Sequence, residues 1–230
     1  MKRYEFWKGV WKKKAKEENP FVAAGASNFA KDPSQFFHNL NSIAKNLQLE
    51  KDDIFLDIGC STGLYCIALA YWVKEIKGID YTPELVERAI KNTRDYPNIE
   101  IKRGDILEIP FASNLFDKIL VNSVIHYLED IESVRKAFQE IARVMKKSGW
   151  SLVSLIPDAN QKEKFLDGIR KLDFSEDKKR EIYRKNQACL WLYPEELIKI
   201  AKGIGLKPRV LSISQGVWQS WYMFSILLKK

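Results

Sequence analysis

The sequence predicts an α/β fold in which helices cover both faces of a mostly parallel sheet, and three observations carry this prediction. From residue 54 onward, short apolar strands alternate with amphipathic helices. Residues 55–70, FLDIGCSTGLYCIALA, follow the order strand, tight glycine loop and helix. The last two predicted strands, 208–214 and 220–228, are joined by a turn without a helix, which predicts a C-terminal antiparallel hairpin at the sheet edge.

Two helices are predicted before the first strand. Trp7 and Trp11 recur at helical spacing near the N-terminus, with lysines mostly on the other faces. The stretch 25–28 predicts a loop. A second helix is predicted to begin at Asp32-Pro33, with Asp32 as the N-cap and Pro33 as the first helical residue.

The alternating region runs from residue 54 to the C-terminus. In order, the pattern predicts strand 54–58, helix 63–74, strand 75–79, helix 83–95, strand 99–103, strand 116–121, helix 132–147, strand 150–156 and helix 195–203, followed by the hairpin. Thr82 and Pro83 are typical of a helix start, and Gly149 is typical of a helix end. Residues 158–190 interrupt the alternation with a highly charged segment of helical pattern.

The composition is that of an ordinary globular domain. The chain has 230 residues, of which 46% are hydrophobic and 30% charged, which is enough for one sizeable core. Its three cysteines and two histidines lack the spacing of a disulfide framework or a metal site. We therefore expect a reducing, cytoplasmic compartment and no bound metal. We also expect no signal peptide and no membrane-spanning segment, which would need about 20 apolar residues.

The net charge of +8 is spread over almost every predicted helix. This distribution favours a solvated surface over a nucleic-acid interface. The lysines beside Trp7 and Trp11 leave open a peripheral contact of residues 1–18 with an anionic membrane. The other interpretations of these tryptophans are a lid over a ligand pocket and ordinary core packing.

Three acidic residues are predicted to meet at one edge of the sheet. Gly59 and Gly63 bracket a loop that lets the backbone approach a ligand closely, and Asp57 precedes this loop. Asp80 and Asp105 end the next two strands, on the edge where open parallel sheets bind ligands. An acid in the position of Asp80 is suited to ribose hydroxyls. Because no lysine or arginine lies within 55–70, the acids disfavour a pyrophosphate and favour a positively charged ligand.

These motifs resemble the class I S-adenosylmethionine-dependent methyltransferases, in particular their small-molecule branch. DIGCSTG resembles the family's acid-x-Gly-x-Gly-x-Gly loop, with Ser61 in place of the middle glycine, and GIDYTPELVERA resembles its ribose-binding segment. GDILEIPFASNLFDKILVNSVIHYLED resembles its adenine-binding and fourth-strand motifs, and IARVMKKSGWSLVSLIP its next helix and strand. The cofactor's sulfonium and ammonium groups would suit the acids.

The resemblance spans about residues 44–228 and implies a fold in more detail than the pattern does. It implies a Rossmann-like, seven-stranded, mostly parallel sheet within residues 44–230. Residues 1–43 are then expected to form an N-terminal helical cap or lid. Residues 158–193 are expected to form an insertion on the acceptor side.

The resemblance also implies a role for each matching residue. Asp57 lies near the ammonium group of the methionine portion, and Asp80 accepts hydrogen bonds from both ribose hydroxyls. Tyr81 packs on the adenine ring, Asp105 accepts from the adenine amine, and Asn122 with the residue after it lies beneath the methyl-donating centre. The residues implied to bind the cofactor are Asp57, Gly59, Cys60, Ser61, Gly63, Asp80, Tyr81, Asp105, Ile106, Asn122 and Ser123.

The function implied is transfer of a methyl group from S-adenosylmethionine to an oxygen or nitrogen atom of a small-molecule acceptor, with S-adenosylhomocysteine as the product. One alternative is an rRNA or tRNA methyltransferase, motivated by the positive net charge. Another is a non-catalytic S-adenosylmethionine-binding module. The sequence Asn122-Ser123-Val124-Ile125 departs from the NPPY-type motif, which disfavours methylation of adenine or glutamine amino groups. We expect a monomer or a homodimer.

His126 is the candidate catalytic residue. It follows the fourth predicted strand, where it is placed to face the acceptor. A neutral imidazole can remove the proton of a hydroxyl acceptor near pH 7. The alternative is a structural histidine.

Overall fold

The structure is a computed structural model that describes residues 3–24 and 32–230, apart from the side chain of Tyr4. The loop predicted at 25–28 lies outside the described residues. Among the described residues, no helix has the length and apolar character that a membrane span requires.

A seven-stranded mixed sheet forms the centre of the molecule, with strand order β3-β2-β1-β4-β5-β7-β6. Strands β1 to β5 pair in parallel, and β7 is antiparallel to both β5 and β6. The Rossmann-like sheet and its C-terminal antiparallel hairpin are thus confirmed. The strands are β1 (Ile54–Ile58), β2 (Glu75–Asp80), β3 (Ile99–Arg103), β4 (Phe116–Asn122), β5 (Met145–Pro157), β6 (Lys207–Ser212) and β7 (Met223–Lys229).

The helices comprise an N-terminal group, the helices that flank the sheet, and a pair within the charged segment 158–190. In chain order they are α1 (Arg3–Lys14), α2 (Pro20–Ala23), α3 (Ser34–Leu47), α4 (Leu64–Leu69), α5 (Pro83–Thr93), α6 (Ile131–Val144), α7 (Lys162–Lys171), α8 (Glu176–Gln187) and α9 (Pro194–Gly203). The charged segment 158–190 therefore contains α7 and α8, as its helical pattern predicted.

The core lies on both faces of the sheet because successive residues of each buried strand point to opposite sides. Phe55 packs in the cluster that contains Ile43 of α3 and Leu69 of α4. Its neighbour Leu56 packs in the opposite cluster, with Phe138 of α6. Both clusters are fully buried at these positions, which explains why the strands are continuous apolar runs.

Several predicted helix boundaries differ from the structure. Helix α4 ends at Leu69 rather than at residue 74, and the Asn98 side chain (Nδ2 to O, 2.7 Å) bonds the Ala70 carbonyl where the chain turns towards β2. Helix α3 begins at Ser34, one residue late, although the Asp32 carboxylate still accepts from the Ser34 amide (3.1 Å). Helix α6 ends at Val144, since Phe116 already pairs with Met145 in the sheet.

Gly149, which was expected to end that helix, lies within β5 instead. The register between β4 and β5 shifts near this point. A Cβ at Gly149 would lie 2.5 Å from Cγ of Met145 and 3.0 Å from the Phe116 carbonyl oxygen. The glycine therefore permits the close strand approach at the irregularity rather than a helix cap.

Candidate active site

A cavity of about 470 Å³ opens at the carboxyl ends of β1, β2 and β4. This volume is within the usual range of small-molecule sites. All of the residues predicted to bind the cofactor line this cavity except Gly63, and His126 does not line it. The parallel register brings the predicted residues together: Asp57 of β1 lies between Gly78 of β2 and Leu120 of β4.

The glycine loop is held against β2 by its backbone. The amides of Gly59 and Cys60 donate to the Ile79 carbonyl at 2.8 Å and 3.0 Å. Gly59 has a φ of 78°, and a Cβ there would lie 2.4 Å from Cγ2 of Val124. Only glycine adopts this conformation without strain and clash, so the close approach is specific to this position.

Gly63 serves the loop in a different way. Its φ is 83°, and it directly precedes α4, where its carbonyl accepts from the Ile67 amide (2.9 Å). Gly63 does not line the cavity. Its positive φ therefore allows the turn from the loop into α4 and does not provide a contact with a ligand.

Asp80 bridges the glycine loop and α5 through its carboxylate. Oδ2 accepts from the Ser61 amide (3.0 Å) and Oδ1 accepts from the Thr82 amide (2.8 Å). Each carboxylate oxygen has a further lone pair, so the group can accept two more hydrogen bonds from a diol in the cavity. Burial raises the pKa of Asp80, against the opposing effect of these backbone hydrogen bonds. Thr82 occupies the predicted N-cap position, but its side chain makes no capping hydrogen bond.

Asp57 is the most deeply buried of the three carboxylates, with 2% of its surface exposed. The thiol of Cys66 donates a hydrogen bond to its Oδ2, with a distance of 3.4 Å from Sγ to Oδ2. Burial raises the pKa of Asp57 to about 7. A buried carboxylate of this kind is stabilised by a positively charged ligand, because the ligand replaces lost hydration with a direct charge interaction.

Asp105 and Tyr81 form the side of the cavity at the ends of β2 and β3. Oδ1 of Asp105 accepts from the Leu107 amide (2.9 Å), which fixes the carboxylate at the start of the turn after β3. The guanidinium of Arg103 lies 5.5 Å from the centroid of the Tyr81 ring. Ile106 is buried beside them. Tyr81, Asp105 and Ile106 all line the cavity.

Asn122 and Ser123 end β4 beneath the cavity. Ser123 has a φ of 61° and its amide donates to the Ser154 carbonyl (2.9 Å), so the chain turns sharply at this point. Oδ1 of Asn122 lies 3.5 Å from Nδ2 of Asn39, and the same nitrogen donates to the Tyr65 hydroxyl at 2.6 Å. Asn39 belongs to α3, so the amide of a residue in the predicted cap contacts two polar side chains that line the cavity.

Ser61 takes the place of the family's middle glycine and adopts a φ of 51°. Its Oγ is buried without a hydrogen-bond partner among the described residues. A buried hydroxyl without a partner is costly, and a ligand that reaches it would remove that cost. A polar molecule bound in the cavity could form a hydrogen bond with this unpaired hydroxyl.

His126, the predicted catalytic residue, is not among the residues that line the cavity. His126 lies in the 3₁₀ turn Ile125–Tyr127 with 3% of its surface exposed, outside the cavity lining. Its Nδ1 has no hydrogen-bond partner among the described residues, and burial lowers its pKa to about 3. In a 3₁₀ turn successive side chains point about 120° apart, and here Tyr127 faces the cavity.

Helix α1 covers the mouth of the cavity, and both of its tryptophans line it. The Trp7 indole donates to the Ala188 carbonyl (2.7 Å), and its ring lies 4.3 Å from that of Tyr127. The Arg3 guanidinium bonds the carbonyl groups of residues 128 and 129. At the other end of α1, the Arg88 guanidinium bonds the carbonyls of residues 15, 17 and 18.

A second group of residues, with no signal in the sequence, also lines the cavity. They come from α3, α4, β5 and the 3₁₀ turn Trp218–Trp221, and they include Phe36, Leu64, Tyr65, Leu155 and Gln219. Leu155 has a φ of 57° at a register shift between β5 and β7, a backbone feature with no sequence signal in a leucine. Tyr65 follows Gly63 by two residues, and only the position of α3 shows that its hydroxyl has polar partners.

Comparisons with known proteins agree with this geometry. Residues 56–153 match a family model described as a methyltransferase domain. The chain is 29% identical over 138 residues to an uncharacterized methyltransferase, YcgJ, of Bacillus subtilis (strain 168), covering 58% of this chain and 53% of that protein. It is 34% identical over 131 residues to a demethylmenaquinone methyltransferase of Bacillus licheniformis, covering 56% and 53%. The chain thus spans about half the length of the curated relatives it matches.

Solved structures show the same fold. The N-methyltransferase NodS of Bradyrhizobium japonicum WM9, in complex with S-adenosyl-L-homocysteine, superimposes with a TM-score of 0.71 at 19% identity, covering 100% of this chain and 99% of that one. The YcgJ crystal structure gives a TM-score of 0.61 at 20% identity, covering 84% and 97%. Residues 56–153 thus match a methyltransferase domain, and the chain shares the seven-stranded fold of these solved structures.

Proposed function

We propose that the protein transfers a methyl group from S-adenosylmethionine to an oxygen or nitrogen atom of a small-molecule acceptor. The observation that carries this proposal is the convergence of Asp57, Asp80 and Asp105 on one cavity at the ends of neighbouring parallel strands. Acids in this arrangement suit a nucleoside that carries positive charge. The positive φ values of Gly59 and Ser61 and the orphaned Ser61 hydroxyl support a ligand held against the loop backbone.

Each acid has a separate task in this proposal. Asp57 binds the ammonium group of the methionine portion, and Asp80 accepts hydrogen bonds from the two ribose hydroxyls. Asp105 accepts from the adenine amine while Tyr81 packs against the ring. These tasks agree with the lone pairs that the backbone leaves free on Asp80 and Asp105.

The chain's contribution to the reaction is binding, alignment and exclusion of water. When bound, S-adenosylmethionine supplies an activated methyl group on a positively charged sulfur, which takes back the electron pair of the carbon–sulfur bond on transfer. Asn122 and Ser123 lie below this point, and the α1 tryptophans lie over the mouth of the cavity. Alignment of this kind supplies a large part of the rate. The proton of the acceptor passes to bulk solvent as the product leaves the cavity. His126 has no part in this proposal, because it does not line the cavity.

A second candidate function is methylation of RNA, for which the net charge of +8 is the supporting observation. Against it, the described cavity lining holds four acids and one lysine, which repels a phosphate-rich chain. Demethylmenaquinone methyltransferases among the relatives favour a small-molecule acceptor over RNA. A non-catalytic cofactor-binding module would share the three acids but would turn over no acceptor.

Thermal unfolding with S-adenosylhomocysteine tests the cofactor proposal. A ligand at 100 times its dissociation constant stabilises the native state by about 2.7 kcal/mol, so the wild-type Tm is expected to rise by several degrees. Asp80→Ala is expected to abolish the rise, measured against its own ligand-free Tm. The matched control is Asp95→Ala, because Asp95 lies at the surface in a pair with Arg94. No rise in the wild type at millimolar ligand would contradict the proposal.

A further inference from the structure

The charges of the cavity are the first constraint on the acceptor. Its acidic lining residues are Asp57, Asp80, Asp105 and Glu129, and Lys8 is the basic residue found among the described lining. Lys8 is exposed on α1 at the mouth. A phosphate, sulfate or carboxylate in the interior would therefore meet protein carboxylates with no lysine or arginine of the described lining buried beside it.

One part of the cavity wall is apolar. Phe36 of α3 and Leu155 of β5 form a buried cluster with Ile213 and Val217, and Leu64 and Tyr65 of α4 pack against it. The Phe36 and Tyr65 rings lie 5.1 Å apart at 34°. We call this group the aromatic end of the cavity, and the charged residues of the described lining are not part of it.

One polar group stands at the aromatic end. The Tyr65 hydroxyl accepts a hydrogen bond from Nδ2 of Asn39 (2.6 Å), and the same nitrogen approaches Oδ1 of Asn122 (3.5 Å). Burial raises the pKa of the Tyr65 hydroxyl, which keeps it protonated and able to donate at neutral pH. Tyr65 and Asn122 both line the cavity, whereas Asn39 lies behind them as a support.

We infer that the acceptor is an uncharged, mostly apolar molecule whose reactive hydroxyl or amine bonds Tyr65 and Asn122 while its apolar body packs on Phe36 and Leu155. A neutral molecule loses little on leaving water for this apolar end, whereas a charged one loses its hydration without compensation. The inference rests on the proposed function, because Asn122 is the residue proposed to lie beneath the methyl-donating centre. It adds the acceptor class and Tyr65 as a residue that positions the acceptor.

Binding of a matched pair of probes to protein saturated with S-adenosylhomocysteine tests the inference. The probes are 2-naphthol and 2-naphthyl phosphate, measured by isothermal titration calorimetry. We expect saturable 1:1 binding of 2-naphthol, at least about 10-fold tighter than that of the phosphate ester. Equal or tighter binding of the phosphate ester would overturn the charge argument. Absence of 2-naphthol binding would overturn the acceptor class.

Tyr65→Phe tests the polar contact, because it removes the hydroxyl and keeps the ring. We expect 2-naphthol to bind about 3- to 10-fold more weakly, and S-adenosylhomocysteine to bind within about twofold of the wild type. The control is Tyr71→Phe, at a tyrosine that is 76% exposed. Unchanged 2-naphthol affinity in Tyr65→Phe would overturn the assignment of Tyr65.

The cofactor measurement separates the two levels of the proposal. Wild-type protein that binds S-adenosylhomocysteine but not 2-naphthol would refute the acceptor class and leave the cofactor site standing. Wild-type protein that binds no S-adenosylhomocysteine would refute the proposed function, and the acceptor inference would fall with it.

Discussion

At the scale of single residues, two buried titratable groups have their pKa values shifted in ways that oppose charge. Burial raises the pKa of Asp57 to about 7 and lowers that of His126 to about 3, so each favours its neutral form. Their places differ, since Asp57 lines the cavity and His126 does not. A cationic ligand in the cavity would therefore interact directly with the Asp57 carboxylate. Protonation of His126, outside the lining, is expected to change the free energy of unfolding.

The raised pKa of Asp57 predicts that cofactor affinity depends on pH. Below about pH 7 the carboxyl is protonated and loses its attraction for the ligand's ammonium group. S-adenosylhomocysteine is expected to bind roughly tenfold more weakly at pH 6 than at pH 8, with a proton released on binding. Calorimetry in buffers of different ionisation enthalpy measures both quantities. Asp57→Asn should bind weakly at pH 8 and lose most of this pH dependence; an unchanged pH profile in that variant would assign the titration to another group.

The lowered pKa of His126 predicts an acid-dependent loss of stability. Between pH 6.5 and about 3 the unfolded chain takes up a proton at this histidine and the folded chain does not, so stability falls as the pH falls through this window. His126→Leu is expected to gain stability relative to the wild type on going from pH 7.5 to pH 5, by about 1–2 kcal/mol. Urea unfolding at the two pH values measures this difference.

The control for that experiment is His38→Leu, at an exposed position of α3. Cofactor binding by His126→Leu should match the wild type, because the side chain does not touch the cavity. A pH-independent difference from the wild type would mean that His126 is not buried in its neutral form. Lost S-adenosylhomocysteine binding in a folded variant would instead return this residue to the active site.

At the scale of elements, α1 is tied down at both ends and covers the cavity mouth between them. Arg3 and Trp7 bond carbonyl groups beyond β4, and Arg88 of α5 bonds the carbonyl groups just after α1. Residues 1–43 were predicted to form a cap or lid, and these contacts support that proposal for the part of the segment that the structure describes. If α1 served only to pack the core, its two tryptophans would not need to line the cavity.

Loss of one tryptophan should therefore speed release of the cofactor. Trp11 lines the cavity, and its ring lies 5.5 Å from that of Tyr127. An aromatic pair contributes about 0.5–1.5 kcal/mol beyond its buried area, so Trp11→Ala is expected to raise the dissociation rate of S-adenosylhomocysteine about 2- to 10-fold. Stopped-flow fluorescence measures this rate. Lys13→Ala, at an exposed position on the same helix, should leave it unchanged; an unchanged rate in Trp11→Ala would argue against a lid.

At the scale of the whole molecule, positive charge on the surface contrasts with negative charge in the cavity. The net charge is +8, yet the three acids of the proposed site face one cavity. Many surface lysines and arginines are paired with acids, as in the exposed pairs of α7 and α8. Exposed pairs of this kind contribute little stability, and they reduce the field available to attract a polyanion.

This distribution predicts weak RNA binding. A transfer RNA mixture is expected to bind at low salt only, with affinity falling steeply as salt rises towards physiological concentration. Filter binding across a salt series measures this, with 2-naphthol binding in the same buffers as the contrast. Tight binding of one RNA species at physiological salt would favour the RNA methyltransferase alternative over a small-molecule acceptor.

Much of the fold follows from local sequence. The bounds of β1 and β3 agree with prediction because an apolar or alternating run ends at a glycine or an acid in each case. The helix ends at Leu69 and Val144 do not agree, because contacts from Asn98 and from β4 end those helices. Helical propensity continued past both points, and tertiary contacts prevailed.

Local sequence was enough to predict the acidic part of the cavity, because an acid or a glycine at a strand end has its position set by the strand that it ends. Asp57, Asp80 and Asp105 meet because parallel strands place their carboxyl ends at one edge. The aromatic end of the cavity, which we propose to bind the acceptor, could be seen only in the tertiary structure. Phe36, Tyr65 and Leu155 are far apart in the chain, and helix packing with a register shift in β5 brings them together. The same applies to His126 and Tyr127, since the orientation of one 3₁₀ turn chooses which of two neighbours faces the ligand.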